Sequence, residues 1–203
     1  MKVTKAQVRE NRERIVETAS ELFRERGYDG VGVAELMAAA GFTHGGFYKH
    51  FGSKADLMAE AAACSFAKST AQTAEVDIND FIQRYLSREH RDTPGQGCTM
   101  AALCADAGRQ SDLIKQTFAE GIERQLATFA DKDTGFSPAE QHDARANSIV
   151  AMAQAVGALV LSRSCPDDSA LADEILRVCR NQMLKPKSSS PVSSIGNSGE
   201  NLC

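Results

Sequence analysis

Apolar residues recur along this chain at three- and four-residue intervals, the spacing of helices with one buried face. The sustained alternation that strands need is absent. In "AQVRENRERIVETASELFRERG", Ile15, Ala19, Leu22 and Phe23 form one stripe, and Gly27 is placed to stop that helix. A short helix follows at "VAELMAAA", closed by Gly41. Another runs from Thr43 to about His50, and Ser53 is placed to cap a long helix through "KADLMAEAAACSFAKSTAQTA", with Asp56 completing a partial capping box. Ile78, Phe81, Ile82 and Tyr85 share one face of "INDFIQRYLSREH", which "TPGQG" interrupts. Helices are then expected at "CTMAALCADAG", at "DLIKQTFAEGIERQLATFAD", and from the Ser137-Pro138-Ala139-Glu140 capping box through "AEQHDARANSIVAMAQAVGALVLSRS". Cys165-Pro166 breaks the last of these, and Asp168 or Ser169 caps "ALADEILRVCRNQML". The pattern predicts an all-α chain of about nine helices, with residues 1–52 as one domain and 53–184 as a larger helical one. The serine- and proline-rich residues 185–203 are expected to be disordered.

The first fifty residues combine a helix, a second short helix, a tight turn and a third short helix. That is the layout of a helix-turn-helix reader. In "AAGFT", Gly41 frees the backbone at the bend, Phe42 pins the two helices, and Thr43 is positioned to cap the second. A helix this short persists only if Phe47 and Phe51, spaced i and i+4, are buried. Thr43, His44, Gly46, Tyr48, Lys49 and His50 are then left to face outward. With Gly45 and Gly46 adding no bulk, that rim suits a DNA groove.

"FRERGYDGVGVAELMAAAGFTHGGFYKHFGSKADL", Phe23 to Leu57, resembles the TetR/AcrR family of bacterial transcriptional regulators. The glycine-aromatic pair after the first helix, "AGFTHGGFY" and "HFGSKADL" all fall at that family's spacing. Two positions depart from it: Gly32 stands where a Ser or Thr N-cap is usual, and Gly46 where a small residue with a β-carbon is usual. The resemblance implies that Thr43, Tyr48, His50 and Lys54 contact phosphates. It implies too that His44 and Lys49 face the groove while Gly45 and Gly46 lie close to base edges. The basic arm before Ile15 is expected to reach the DNA backbone or minor groove. The later helices are implied to bind a ligand and to dimerise.

Composition adds limits. The 203 residues carry a net charge of −4, so the surface as a whole does not attract nucleic acid. Yet the first 14 residues hold five basic groups against two acidic ones. No run approaching about 18 apolar residues is evident, and the charged start "MKVTKAQVRENRERI" lacks the apolar core of a secretory signal. A cytoplasmic protein with no membrane partner is expected. Its cysteines, Cys64, Cys98, Cys104, Cys165, Cys179 and Cys203, are then expected to be thiols. No metal is expected: His44 and His50 lie roughly 240° apart around a helix, and no cluster has ligand spacing. Gly30-Val31-Gly32 lacks the third glycine and the strand of a dinucleotide loop. No cofactor and no catalytic residue is implied.

Cys98 opens "CTMAALCADAG", where helix amides favour a thiolate. It reads either as a buried small hydrophobe or as a sensor of oxidants or electrophiles. Cys64 and Cys179 read as core. The resulting expectation is a homodimeric repressor on a palindromic double-stranded operator, released by a small apolar effector or by thiol modification. Phe66, Phe81, Tyr85, Met100, Leu103, Phe118, Ile122 and Met152 are the candidate effector contacts. Ala151, Ala153, Ala155, Gly157 and Ala158 permit close helix pairing between subunits or within one. The rival expectation is an all-α thiol enzyme or small-molecule carrier, with Cys98 as nucleophile and His90 as base.

Overall fold

The structure is a computed structural model that describes residues 4–73, 76–130 and 138–184, all helical or connecting. Helix α1 (Lys5–Arg26) begins where Thr4 Oγ1 accepts from the Gln7 amide at 3.2 Å. It ends at Gly27, whose φ of 75° carries the chain out of the helix while its N–H still bonds Phe23 O at 2.8 Å. Helix α2 (Val33–Ala39) stops at Gly41, φ 82°, and the Phe42 amide closes back on Met37 O at 2.8 Å. The next segment, His44–Lys49, is a 3₁₀ helix rather than the expected α-helix. Two adjacent glycines raise the entropic cost of a regular turn, and six residues offer few i→i+4 bonds to offset it. Thr43 makes no side-chain cap bond, so the sequence expectation is corrected there.

Helix α3 (Lys54–Thr73) starts as expected, with Ser53 Oγ accepting from the Asp56 amide at 3.1 Å. "INDFIQRYLSREH" forms two helices, α4 (Ile78–Tyr85) and α5 (Arg88–Asp92). Leu86 leaves helical geometry so that its side chain is fully buried, and Ser87 restarts the chain by capping the His90 amide at 3.1 Å. A 3₁₀ turn at Pro94–Gln96 leads to α6 (Thr99–Ala107), α7 (Asp112–Ala130), α8 (Pro138–Arg163) and α9 (Ala170–Met183). The Ser137 cap and the tail from 185 lie outside the described residues.

One continuous core joins the two sequence segments. Phe23, Leu36, Phe47 and Phe51 pack in the same cluster as Leu57, Phe66, Leu103 and Phe118. A smaller cluster, with Ile82, Leu86, Leu159 and Leu176, lies under α4, α8 and α9. Buried Arg91 fastens α5 to the end of α8 through Ser162 Oγ (3.1 Å), Cys165 O (2.9 Å) and the carboxylate of Asp167 (3.2 Å). Helix α8 also corrects an expectation. Its stretch Gln141–Arg163 is long and apolar enough, by composition alone, to cross a membrane. Alanines dilute its apolar character along the sequence, so no dense run is visible. In the fold this helix lies against α5, α6, α7 and α9.

Candidate nucleic-acid interface and effector cleft

Phe47 and Phe51 are buried and stacked at 5.5 Å, the arrangement the short reading segment requires. Tyr48 stands edge-on to Phe47 at 5.2 Å and is 71% exposed. Thr43, His44, Gly45 and Lys49 are exposed beside it, with Gly46 and His50 half-buried. The polar rim is therefore on the outside of the molecule. A β-carbon added at Gly45 would meet nothing within 4 Å, and one at Gly46 only Met37 Cε at 3.6 Å and Thr43 Oγ1 at 3.8 Å.

Two arginines from α1, legible in the sequence only as part of a basic arm, hold this segment. Arg14 lies over the Phe42 ring at 4.5 Å and Arg12 over Phe51 at 4.2 Å. Arg12 also pairs with Glu60 of α3 and donates to His50 O. Its charge is thereby answered within the protein. The His50 imidazole is held below its ordinary pKa by burial, then by Arg12 and Lys49. Lys54 Nζ donates to Tyr28 O at 2.5 Å, fastening the start of α3 to the α1–α2 connection.

The second feature is an open cleft of about 1680 Å³ bordered by α1, α3, α4, α6 and α8. Of the candidate effector contacts, Phe81, Tyr85, Met100 and Met152 line it. Phe66, Leu103, Phe118 and Ile122 do not line it and pack in or against the main core, which Met100 and Met152 also touch. Cys98 and Cys64 both face the cleft, so Cys64 is more than the core residue its neighbours suggest. Arg24 reaches across from α1, bonding Ser65 Oγ of α3 at 2.7 Å and Gly95 O at 2.5 Å, while Ser65 meets Thr99 Oγ1 at 2.5 Å. Periodicity could not reveal this set, because its members lie on four separate segments.

Cys98 is the N-cap residue of α6, and its amide donates to His90 Nε2 at 3.0 Å. The other ring nitrogen, Nδ1, lies 2.7 Å from Tyr85 O and can only donate to that carbonyl. Both nitrogens are therefore engaged and the ring is neutral. Burial, with Arg163 adding to it, lowers its pKa against the opposing pull of the Tyr85 carbonyl. His90 has no lone pair left for the Cys98 thiol, so the nucleophile–base pair of the rival expectation is not assembled. Among the described residues no group of three or more His, Cys, Asp or Glu side chains could hold a metal.

The family model described as bacterial regulatory proteins, tetR family, matches residues 15–61, the segment that carries the reading rim and its support. Residues 15–61 thus carry the N-terminal segment of the tetR family. That is a family of transcriptional regulators, not of enzymes. The HTH-type transcriptional repressor DhaR of Mycobacterium sp. strain GP1 is 28% identical over 124 residues, 58% of this chain and 63% of DhaR. An uncharacterized HTH-type transcriptional regulator of Mycobacterium tuberculosis is 28% identical over 195 residues, covering 85% of this chain and 94% of its own. The chain thus spans less than two thirds of DhaR and nearly all of the second relative. Among solved structures, reduced NemR of E. coli superposes with a TM-score of 0.66 at 19% identity, covering 86% of this chain and 95% of NemR. That likeness is one of fold.

Proposed function

We propose that this protein is a homodimeric, sequence-specific repressor, acting in the cytoplasm and released from a palindromic operator by a ligand or thiol modification in the cleft. The observation that carries the DNA reading is the exposed rim of Thr43, His44, Tyr48 and Lys49 mounted on the buried Phe47–Phe51 stack. In this reading Thr43, Tyr48, His50 and Lys54 meet phosphates. His44 and Lys49 enter the major groove, and Gly45 and Gly46 let the backbone approach the bases.

Pairing is supported by an uncovered apolar face. Val150, Val160 and Leu161 are exposed, and with Ala153 and Gly157 they follow helical spacing along one side of α8. Leu171 and Val178 of α9 are exposed as well. Ala155 and Ala158 are buried within the subunit, so only part of the small-residue stripe is available to a partner. A second copy of the chain covers this face and sets two reading rims on half-sites roughly 34–36 Å apart, or a multiple of that.

Release follows from linkage. An effector in the cleft shifts the rims only by its differential affinity for the two states. Helix α3 is the lever, since it lines the cleft and carries Lys54 and Glu60 at the reading unit. Fluorescence anisotropy with labelled promoter fragments tests the reading. Tight, salt-sensitive and sequence-preferring binding is expected. Equal affinity for promoter and random duplex would refute it.

A further inference from the structure

The inner end of the cleft holds a cation that no carboxylate neutralises. Arg24 of α1 lines this wall, half-buried, and forms no ion pair among the described residues. Its bonds go only to neutral oxygens. Nε and Nη2 donate to Gly95 O at 2.9 and 2.5 Å, and Nη1 to Ser20 Oγ at 2.5 Å and Ser65 Oγ at 2.7 Å. A guanidinium carries five N–H groups, so one on Nη2 remains. Ser65 Oγ and Thr99 Oγ1 lie 2.5 Å apart and share one hydrogen, which leaves that pair a second to donate. Ser20 and Thr99 are only 8% and 5% exposed, so bulk water does little to meet this surplus of donors.

The rim of the cleft differs from its inner end. Glu17, Glu21, Glu89 and Asp143 border it and are exposed. Glu17 is paired with Lys68. Glu21, one turn before Arg24, acts on it from solvent without pairing, and solvent screens that pull. Burial still holds the Arg24 guanidinium below its ordinary pKa, against Glu21, Cys98, Cys64 and Glu25. Apolar groups continue the wall: Met100 follows Thr99 on α6, and Phe81, Tyr85 and Met152 line the same space.

We infer that the cleft takes an organic carboxylate, with its anionic head on Arg24, Ser65 and Thr99 and its apolar body against Phe81, Tyr85, Met100 and Met152. This rests on the effector arm of the function proposed above and names the chemical class of that effector. A carboxylate brings two acceptor oxygens to the one free N–H and the one free O–H, and charge-assisted bonds to arginine are the strong kind. A phosphate would leave further oxygens unmet. An amine would add a cation and more donors where acceptors are lacking, and an amide offers one acceptor oxygen without charge. The cleft, at about 1680 Å³, is far larger than a small acid such as acetate fills, so the apolar body is part of recognition.

Isothermal titration calorimetry on the full-length protein tests this with 4-phenylbutyrate, 4-phenylbutanamide and 4-phenylbutylamine, which share a ring and chain and differ in the head. The carboxylate is expected to bind about tenfold or more tighter than the amide, with the amine weakest. Arg24→Gln is expected to erase the preference for carboxylate over amide, and Arg24→Lys to keep most of it. Thr99→Asp builds an anionic acceptor beside Ser65 and is expected to weaken the carboxylate about tenfold while the amide changes little. Should Arg24→Gln fail to fold, Thr99→Asp decides alone. An amide that matches the carboxylate in the wild type would overturn the inference, as would no saturable carboxylate binding up to about 10 mM. So would a preference that survives in the folded variants. Carboxylate binding that leaves operator affinity unchanged keeps this inference and removes release by an effector. Operator release by the amide or amine alone keeps that release and overturns the carboxylate.

Discussion

Lys54 Nζ lies 2.5 Å from the carbonyl oxygen of Tyr28 and 5.9 Å from the centre of the Phe23 ring. A side chain that the family resemblance assigns to phosphate is thus also the bolt between α3 and the α1–α2 connection. An ammonium carries three donors, so one bond to Tyr28 leaves others for DNA. Lys54→Ala is expected to weaken binding to all duplexes alike and to flatten the salt dependence by about one unit. It should also lower stability by roughly 1 kcal/mol through the lost charge-assisted bond. Anisotropy titrations across salt and urea melts measure the two effects separately. A loss confined to one operator sequence would show that Lys54 is placed wrongly.

Gly46 keeps the reading segment weak without needing to. The space beside it accepts a methyl group, and its φ is not positive. Gly46→Ala is expected to raise stability by about 0.5–1 kcal/mol, since alanine has less unfolded-state freedom to lose. If the backbone here meets base edges, operator affinity should fall in the same variant. Melting temperature rising while affinity holds would remove Gly46 from the interface.

Acid should loosen the inner end of the cleft. His90 and His50 are both held below the ordinary histidine pKa, by burial first. Each is therefore harder to protonate in the fold than in the unfolded chain. Stability from this source is intact above the unfolded value of about 6.5 and falls as pH drops below it toward the lowered folded values. His90→Gln should reduce that acid slope and leave the share from His50. Urea midpoints at about pH 7.5 and 5.5 read the difference, and an unaltered slope would count against the neutral ring.

The outward face of α8 predicts an oligomeric state. Leu161 is 59% exposed and sits with Val150, Val160 and Gly157 on one side. Leu161→Glu puts a charge into the proposed contact, where an unpaired buried charge is expensive. Sedimentation should show a dimer becoming a monomer, with operator affinity reduced because two linked rims bind far better than one. A wild-type protein that is monomeric at working concentration would refute the pairing.

Local physics was enough for much of this molecule. The stripe of Ile15, Ala19 and Phe23, the stops at Gly27 and Gly41, and the Ser53 cap involve neighbours within a turn or two, so chain order contains the information. The Phe47–Phe51 pair and its polar complement were legible for the same reason: one helix-like period separates buried positions from exposed ones. Leu86 shows the limit of such reading. Its helix breaks because a partner 70 or more residues away, Leu159 or Leu176, offers burial that continuing the helix would forfeit.

Only the tertiary fold decided the rest. Arg12 against Phe51 and Glu60, Arg24 across α1, α3 and the Pro94–Gln96 turn, and His90 turned to the Cys98 amide all join segments that are distant in the chain. Whether a cysteine is core or cleft, and whether an arginine is matched or left wanting an acceptor, depends on which helices cross beside it. Periodicity says which face of a helix is buried, but not what it is buried against. The partners of a polar group are set by packing in three dimensions.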